Sequence, residues 1–213
     1  MPNWCWNTLE VRGTKKGMKK FYDKFKSNNR ESFDFEWFVP MPAIFKEITT
    51  GLCTIDGVQY RQWVENADGS QRGLTQTEID IMTEEYGHTN WYDWSLENWG
   101  CKWNCSDVDV HEATDSQFIL KFDTPWGPPV NFINHLIEQF SDLDFENEWE
   151  EEGGYAGMFG CVDGHEYNID GRVVYKTECC DVDQEYDEDD HHSYCPKCKK
   201  IEPYTYTEVE YTN

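Results

Sequence analysis

Apolar residues recur along this chain with two distinct periods, and the switches between them predict its elements. Residues 4–12 (WCWNTLEVR) suit a strand, with Leu9 and Val11 on one face. Over residues 14–27 the period becomes helical. Met18, Phe21, Tyr22 and Phe25 fall at i, i+3, i+4 and i+7 and make one apolar stripe, while Lys15, Lys16, Lys19, Lys20, Lys24 and Lys26 occupy the other faces. Residues 33–39 (FDFEWFV) alternate again and predict a second strand, ended by Pro40 and Pro42. Residues 116–123 (SQFILKFD) read as a third. Pro128-Pro129 can start a helix whose inner face carries Val130, Ile133, Ile137 and Phe140. The clearest strand is 142–150, where Asp142, Asp144, Glu146, Glu148 and Glu150 point one way and Leu143, Phe145 and Trp149 the other. That contrast places one face on a core and one in water.

Turn chemistry divides the rest. Residues 53–64 read as a hairpin turning at Asp56-Gly57, and Asp68-Gly69 marks another turn. Thr75 and Glu78 make a capping box, with Leu74 and Ile79 as its staple, and the helix it starts ends near Gly87. Residues 91–104 show no regular period. Residues 155–162 and 165–169 form a hairpin about Asp163-Gly164, Asp170-Gly171 turns into a strand at 172–176, and a last strand covers 204–211. With an insertion at about 41–115 set aside, the order is βαββαβ. The fold class is therefore α+β: a ferredoxin-like antiparallel sheet with two helices on one face, an insertion and extra hairpins. Residues 1–176 are expected to form this domain, and 177–213 an acidic, zinc-binding tail.

Composition narrows the function classes. The 213 residues carry a net charge of −24, yet 16% are aromatic, ten of them tryptophan, so a core is affordable despite the charge. A field of that sign repels nucleic-acid backbones and membrane surfaces and attracts basic proteins; alternatively it serves only solubility. The one basic stretch, residues 12–30, reads either as a solvated helix face or as a phosphate site. No 18-residue apolar run exists, and the first residues lack the basic start and apolar stretch of a signal peptide, so a cytoplasmic protein without a membrane span is expected.

Nine cysteines without a secretion signal point to metal binding or burial rather than to disulfides. Cys195-Pro196-Lys197-Cys198 places two thiolates on one side of a tight loop, half of a tetrahedral zinc site. Cys179, Cys180, His191 and His192 lie just upstream. Adjacent cysteines diverge, so the expected set is Cys180, His192, Cys195 and Cys198, with Cys179 and His191 as alternates. Four protein ligands close the coordination sphere, which makes a structural Zn2+ site and not a catalytic one. Cys101 and Cys105 have no second pair nearby and read as buried thiols, as do Cys5, Cys53 and Cys161. His88, His111 and His165 show no nucleophile pattern, and no catalytic or phosphate-binding motif is present. No catalytic residue is assigned.

Several runs recur in a recognisable order: Met1-Pro2-Asn3-Trp4-Cys5-Trp6-Asn7, Val39-Pro40-Met41-Pro42, Trp91-Tyr92-Asp93-Trp94, Asn98-Trp99-Gly100-Cys101-Lys102-Trp103-Asn104, and Phe122-Asp123-Thr124-Pro125-Trp126-Gly127-Pro128-Pro129. Across roughly residues 1–170 the chain resembles the YubB-like family of phages and conjugative plasmids. The resemblance implies a ferredoxin-like domain and action in a bacterial host's cytoplasm, and supplies no catalytic residues. Trp94, Trp99, Lys102, Trp103 and Trp126 either close one end of the sheet or line a pocket for a planar or anionic ligand.

Two functions follow as expectations. In the first, the row Asp142, Asp144, Glu146, Glu148 and Glu150 docks on a basic surface of a host protein, such as a defence or nucleic-acid-processing factor, and blocks it. In the second, the tryptophan cluster binds a small ligand or nucleotide. Direct nucleic-acid binding is disfavoured by the charge.

Overall fold

The computed structural model describes residues 3–25, 32–180, 184–187, 192–201 and 205–211. Strand β1 (Trp4–Gly13) leads into helix α1 (Lys15–Tyr22), whose N-cap Thr14 accepts a hydrogen bond from the Gly17 N–H. Met18, Phe21, Tyr22 and Phe25 are buried together, as their spacing predicts. The last expected helical residues, Lys26 and Ser27, lie outside the described part.

The strand expected at 33–39 is not there. Phe35–Trp37 form a 3-10 turn capped by Asp34, whose carboxylate accepts from the Glu36 N–H and from Asn104 Nδ2. Phe33, Phe35 and Phe38 are all buried. A strand would send Phe38 to the face opposite Phe33 and Phe35, whereas the tight turn brings all three rings to one core.

A long insertion follows: α2 (Ala43–Lys46), β2 (Ile48–Ile55), β3 (Val58–Glu65), β4 (Gln71–Gly73), α3 (Gln76–Tyr86) and α4 (Trp91–Asn98). Strands β2, β3 and β4 make their own three-stranded sheet. The β2–β3 turn is Asp56-Gly57, with φ of 50° and 80°, both positive as a type I′ turn requires. The Thr75–Glu78 capping box starts α3, and Gly87, at φ 73°, ends it. Helix α4 occupies a stretch expected to be irregular; the Asn90 side chain caps it by accepting from the Asp93 N–H.

The second strand of the ferredoxin-like core is β5 (Ser106–Ala113), inside the stretch expected to be inserted. It is followed by β6 (Gln117–Pro125), α5 (Val130–Gln139) and β7 (Leu143–Glu151). These strands lie in the order β7-β1-β6-β5, with β1 antiparallel to both neighbours. This is the βαββαβ arrangement, with the insertion placed between α1 and β5. Strands β8 (Tyr155–Val162), β9 (His165–Thr177) and β12 (Thr205–Tyr211) extend it to seven, beyond β7. The turn expected at Asp170-Gly171 is instead continuous strand. Glycine is needed there for space: a Cβ on Gly171 would sit 2.9 Å from the Glu210 carbonyl oxygen of β12. A small pair, β10 (Glu185–Asp187) and β11 (His192–Tyr194), lies between β9 and β12 in the acidic tail; the acid-rich composition of residues 178–190 predicts no packed element there, yet β10 falls within it.

One face of the sheet holds Leu9, Val11, Phe118, Leu120, Phe122 and Phe145 against α1 and α5. Phe21 of α1 meets the rings of Phe118 and Phe145, and Phe35 stacks on Phe132 of α5 with centroids 4.0 Å apart. By register, Thr8, Glu10, Lys121, Asp123, Glu146 and Glu148 share the opposite face.

Within the insertion, Arg72 forks onto Glu78, with Nη1–Oε2 at 2.9 Å and Nη2–Oε1 at 2.7 Å. This bond, then the Thr75 N–H, hold the Glu78 carboxyl down at about 2. A carboxyl lower in the folded than in the unfolded state stabilises fully above its unfolded value, near 4.3, and that contribution is lost as pH falls toward 2. Both groups are partly exposed, so the effect is modest. Urea denaturation of wild type and Arg72→Met at pH 6 and pH 3 should show a difference that narrows at the lower pH.

Candidate metal centre

Strand β9 ends at Thr177, and residues 178–180 turn away, carrying Cys179 and Cys180. Strand β11 ends at Tyr194 and delivers Cys195 into a second turn, over 196–198. That turn is tied at its base by the Lys199 N–H to the Cys195 carbonyl, 2.8 Å, and by the Cys195 N–H to the Lys200 carbonyl, 2.9 Å. The sulfurs of Cys179, Cys180, Cys195 and Cys198 all lie within 4.8 Å of one another, and Cys179 Sγ is 3.5 Å from Cys198 Sγ. Tetrahedral bonds of about 2.3 Å put sulfurs about 3.8 Å apart, so the cluster has the dimensions of a four-thiolate metal site.

The two adjacent cysteines both reach the cluster because residues 178–180 are a turn; the expected divergence belongs to extended chain. The structure thus brings Cys180, Cys195 and Cys198 together with the alternate Cys179. His192 begins β11, paired with Asp187, but its side chain and the whole of His191 lie outside the described residues. Packed thiols resist ionisation: burial, then Cys198 and Cys195, push the Cys180 thiol up to about 12. A divalent cation opposes that shift, because its ligand is the thiolate. Four soft donors, with Cys195 buried, suit zinc better than a hard cation.

The remaining cysteines differ. Cys101 and Cys5 are buried, burial pushes the Cys101 thiol up strongly, and it also pushes Cys5 and Cys105 up to about 12. These three are packing residues, as expected of them; Cys53 and Cys161, also expected to be buried, are only half-buried, and the Cys53 thiol donates to Gln71 of β4 at the surface.

The acidic row is present but engaged. Asp142 precedes β7 and pairs with Lys20 of α1 at 2.9 Å. Asp144 accepts from the Asp163 N–H, Glu146 from the Tyr167 hydroxyl at 2.6 Å, and Glu148 from the Tyr211 hydroxyl at 2.9 Å. Burial first, then its carboxylate partner, raises each tyrosine, Tyr211 to about 12. Glu148 is exposed, and Glu146 and Glu150 are half-buried. Three α1 lysines are likewise paired, Lys15 with Asp115, Lys19 with Asp23 and Lys20 with Asp142.

The tryptophans divide into two groups. Trp94 and Trp99 belong to the core, edge to face at 5.3 Å, and Trp99 Nε1 donates to the Val39 carbonyl at 3.0 Å. Gly100, at φ 82°, ends α4 against the start of α5; a Cβ there would lie 3.0 Å from the Val130 nitrogen. Lys102 places its ammonium 4.8 Å from the ring centres of both Trp103 and Trp126, and Trp126 is exposed. The cluster expected as one site is therefore a core pair and a surface pair bridged by a lysine.

Residues 98–193 match a family model described as a ferredoxin-like domain in Api92-like protein. That stretch is similar to a ferredoxin-like domain. It spans β5 to β10 and takes in three of the four strands of the βαββαβ core. A crystal structure of a protein Api92 from Yersinia pseudotuberculosis is similar over 81% of this chain and 98% of its own, at 12% identity and a TM-score of 0.46. No curated protein matches. Among the described residues, no helix is long and apolar enough to cross a membrane.

Because Trp99 is 2% exposed, Trp99→Ala should cost about 3–5 kcal/mol, read by urea denaturation.

Proposed function

We propose that this chain is a zinc-held, non-catalytic interaction protein that occupies a basic surface on another protein, the partner being a host factor of the phage or plasmid that encodes it. The observation that carries the reading is the net charge of −24 together with an acidic open sheet face, where Glu10, Asp123, Asp144, Glu146, Glu148 and Glu150 outnumber Arg12 and Lys121 by register. The hydrogen bonds to Asp144, Glu146 and Glu148 favour docking over mere solubility, since they hold the carboxylates in fixed positions and lower the entropy a partner must remove. The mobile-element origin rests on the sequence motifs alone.

The metal's part is structural. A four-cysteine set leaves no position for a reacting water. Purified protein should contain about one zinc per chain. Cys195→Ser with Cys198→Ser should abolish it and leave the β1–β7 pairing of the main sheet intact, as read by hydrogen exchange. Retention of metal by the double variant would refute the assignment.

For the acidic face, Glu148→Lys combined with Glu150→Lys avoids the half-buried Glu146–Tyr167 bond. Captured basic protein should be lost from this variant with at most a small drop in Tm from the exposed Glu148–Tyr211 bond, and wild-type capture should weaken steeply as salt shortens screening below about 8 Å. Capture that ignores both changes would overturn the reading.

A further inference from the structure

Beyond β7, the helix-side face of the sheet is not covered by α1, and the chain entering α5 leaves a cleft of about 460 Å³ there. Its lining comes from three places: Trp126 and Pro128 before α5, Trp149 and Glu151 on β7, and Tyr155 and Asp170 on β8 and β9. The volume falls within the range of sites that accept a small molecule or a single side chain with its flanking chain.

Two features of the sequence build this cleft. Trp149 lies opposite Gly157 in the β7–β8 pairing, and a Cβ on Gly157 would come 2.8 Å from the Trp149 Nε1. The glycine thus leaves room for the indole over β8, on the sheet face shared by Asp170, Gly157's partner on β9. Trp126 forms the other wall. It holds φ at 72°, a conformation costly for a residue with a bulky side chain, and its indole remains 45% exposed. Its N–H is fixed by the Asn3 carbonyl at 2.8 Å. Tyr155, 64% exposed, completes the aromatic lining.

Flat aromatic faces beside carboxylates select for a planar cation. Aromatic faces attract positive charge, and a guanidinium both stacks on an indole and offers a fork of donors to a carboxylate. The aromatic lining and the negative charge of Glu151 favour that group over an ammonium, which is a strongly hydrated point charge. We infer that this cleft receives an arginine side chain of a basic protein partner, stacked on Trp149 or Tyr155 and hydrogen-bonded by Glu151, with Trp126, whose ring already carries the Lys102 ammonium, as a wall only. The inference rests on the reading of the chain as a binder of basic protein surfaces, but places the recognition on the face opposite the acidic row.

The test uses the full chain and a fluorescein-labelled peptide with one arginine among glycines and serines and one distant glutamate, so that net charge is balanced. Matched peptides carry lysine or citrulline in its place. Anisotropy titrations should show the arginine peptide binding at least tenfold more tightly than either. Tyr155→Ala and Glu151→Gln should each weaken it tenfold or more, with Tm unchanged. Glu148→Lys with Glu150→Lys should leave peptide affinity within twofold, which separates failure of this site from failure of the acidic face. Equal binding of arginine and citrulline, equal binding of arginine and lysine, or insensitivity to Tyr155→Ala and Glu151→Gln would each overturn the inference.

Discussion

The whole sheet depends on β1 being paired along both edges at once. Nine successive residues of β1 are in register with β6, and nine with β7. Because side chains alternate along a strand, fixing Leu9 opposite Leu120 and Asn147 also fixes which residues of three strands meet the helices. A slip of one residue would exchange Phe118, Leu120 and Phe145 for Ile119, Lys121 and Glu146. The buried polar pair strengthens that choice. Asn147 donates to Asn7 at 3.2 Å, and Asn7 donates to Thr124 at 2.8 Å, so a misregistered sheet would strand these amides away from their partners.

Much of this was legible in the chain. Local signals with a definite physical cause survived: the apolar stripe of α1, the capping box at Thr75 and Glu78, the I′ turn at Asp56-Gly57, and the alternation of β7. What failed were stretches where tertiary packing overrode local period. Phe33, Phe35 and Phe38 follow the geometry of the space between α1 and α5, and that space is made by residues far away in sequence. Helix α4 was hidden because its tryptophans obscure a period that Asn90 makes clear once its cap is seen. Strand β5 was missed because it is an edge strand whose alternation rests on Val108 and Val110 alone, set among Asp107, Asp109 and His111, too few apolar residues to announce it. The glycine at 171 carried a double meaning, since turns and close strand approaches both call for the same residue.

The cysteine cluster was legible as half a site. The spacing of Cys195 and Cys198 is local and therefore readable. Which upstream residues join them depends on how β9 ends, and a turn of three residues there makes both Cys179 and Cys180 available. The acidic row was legible as a pattern but not as a network, because Tyr167 and Tyr211 reach it from strands whose positions only the fold decides. An alternation of charge records which way side chains face; it does not record what crosses over them.

The four-cysteine cluster also has a consequence for the topology of the extended sheet. Strand β12 is supplied by a long excursion that leaves β9 at Thr177 and returns at Thr205. Cys179 and Cys180 stand at one foot of that excursion, and Cys198 stands near the other. Joined through a metal ion, they would turn a wide loop into a short one, and shortening a loop threefold lowers its closure cost by roughly 1 kcal/mol. The returning strand would then have a high effective concentration at its own sheet edge. Such a clasp would favour each molecule completing its own sheet over lending its last strand to a neighbour, so a metal held by these four cysteines would also guard against strand exchange between copies.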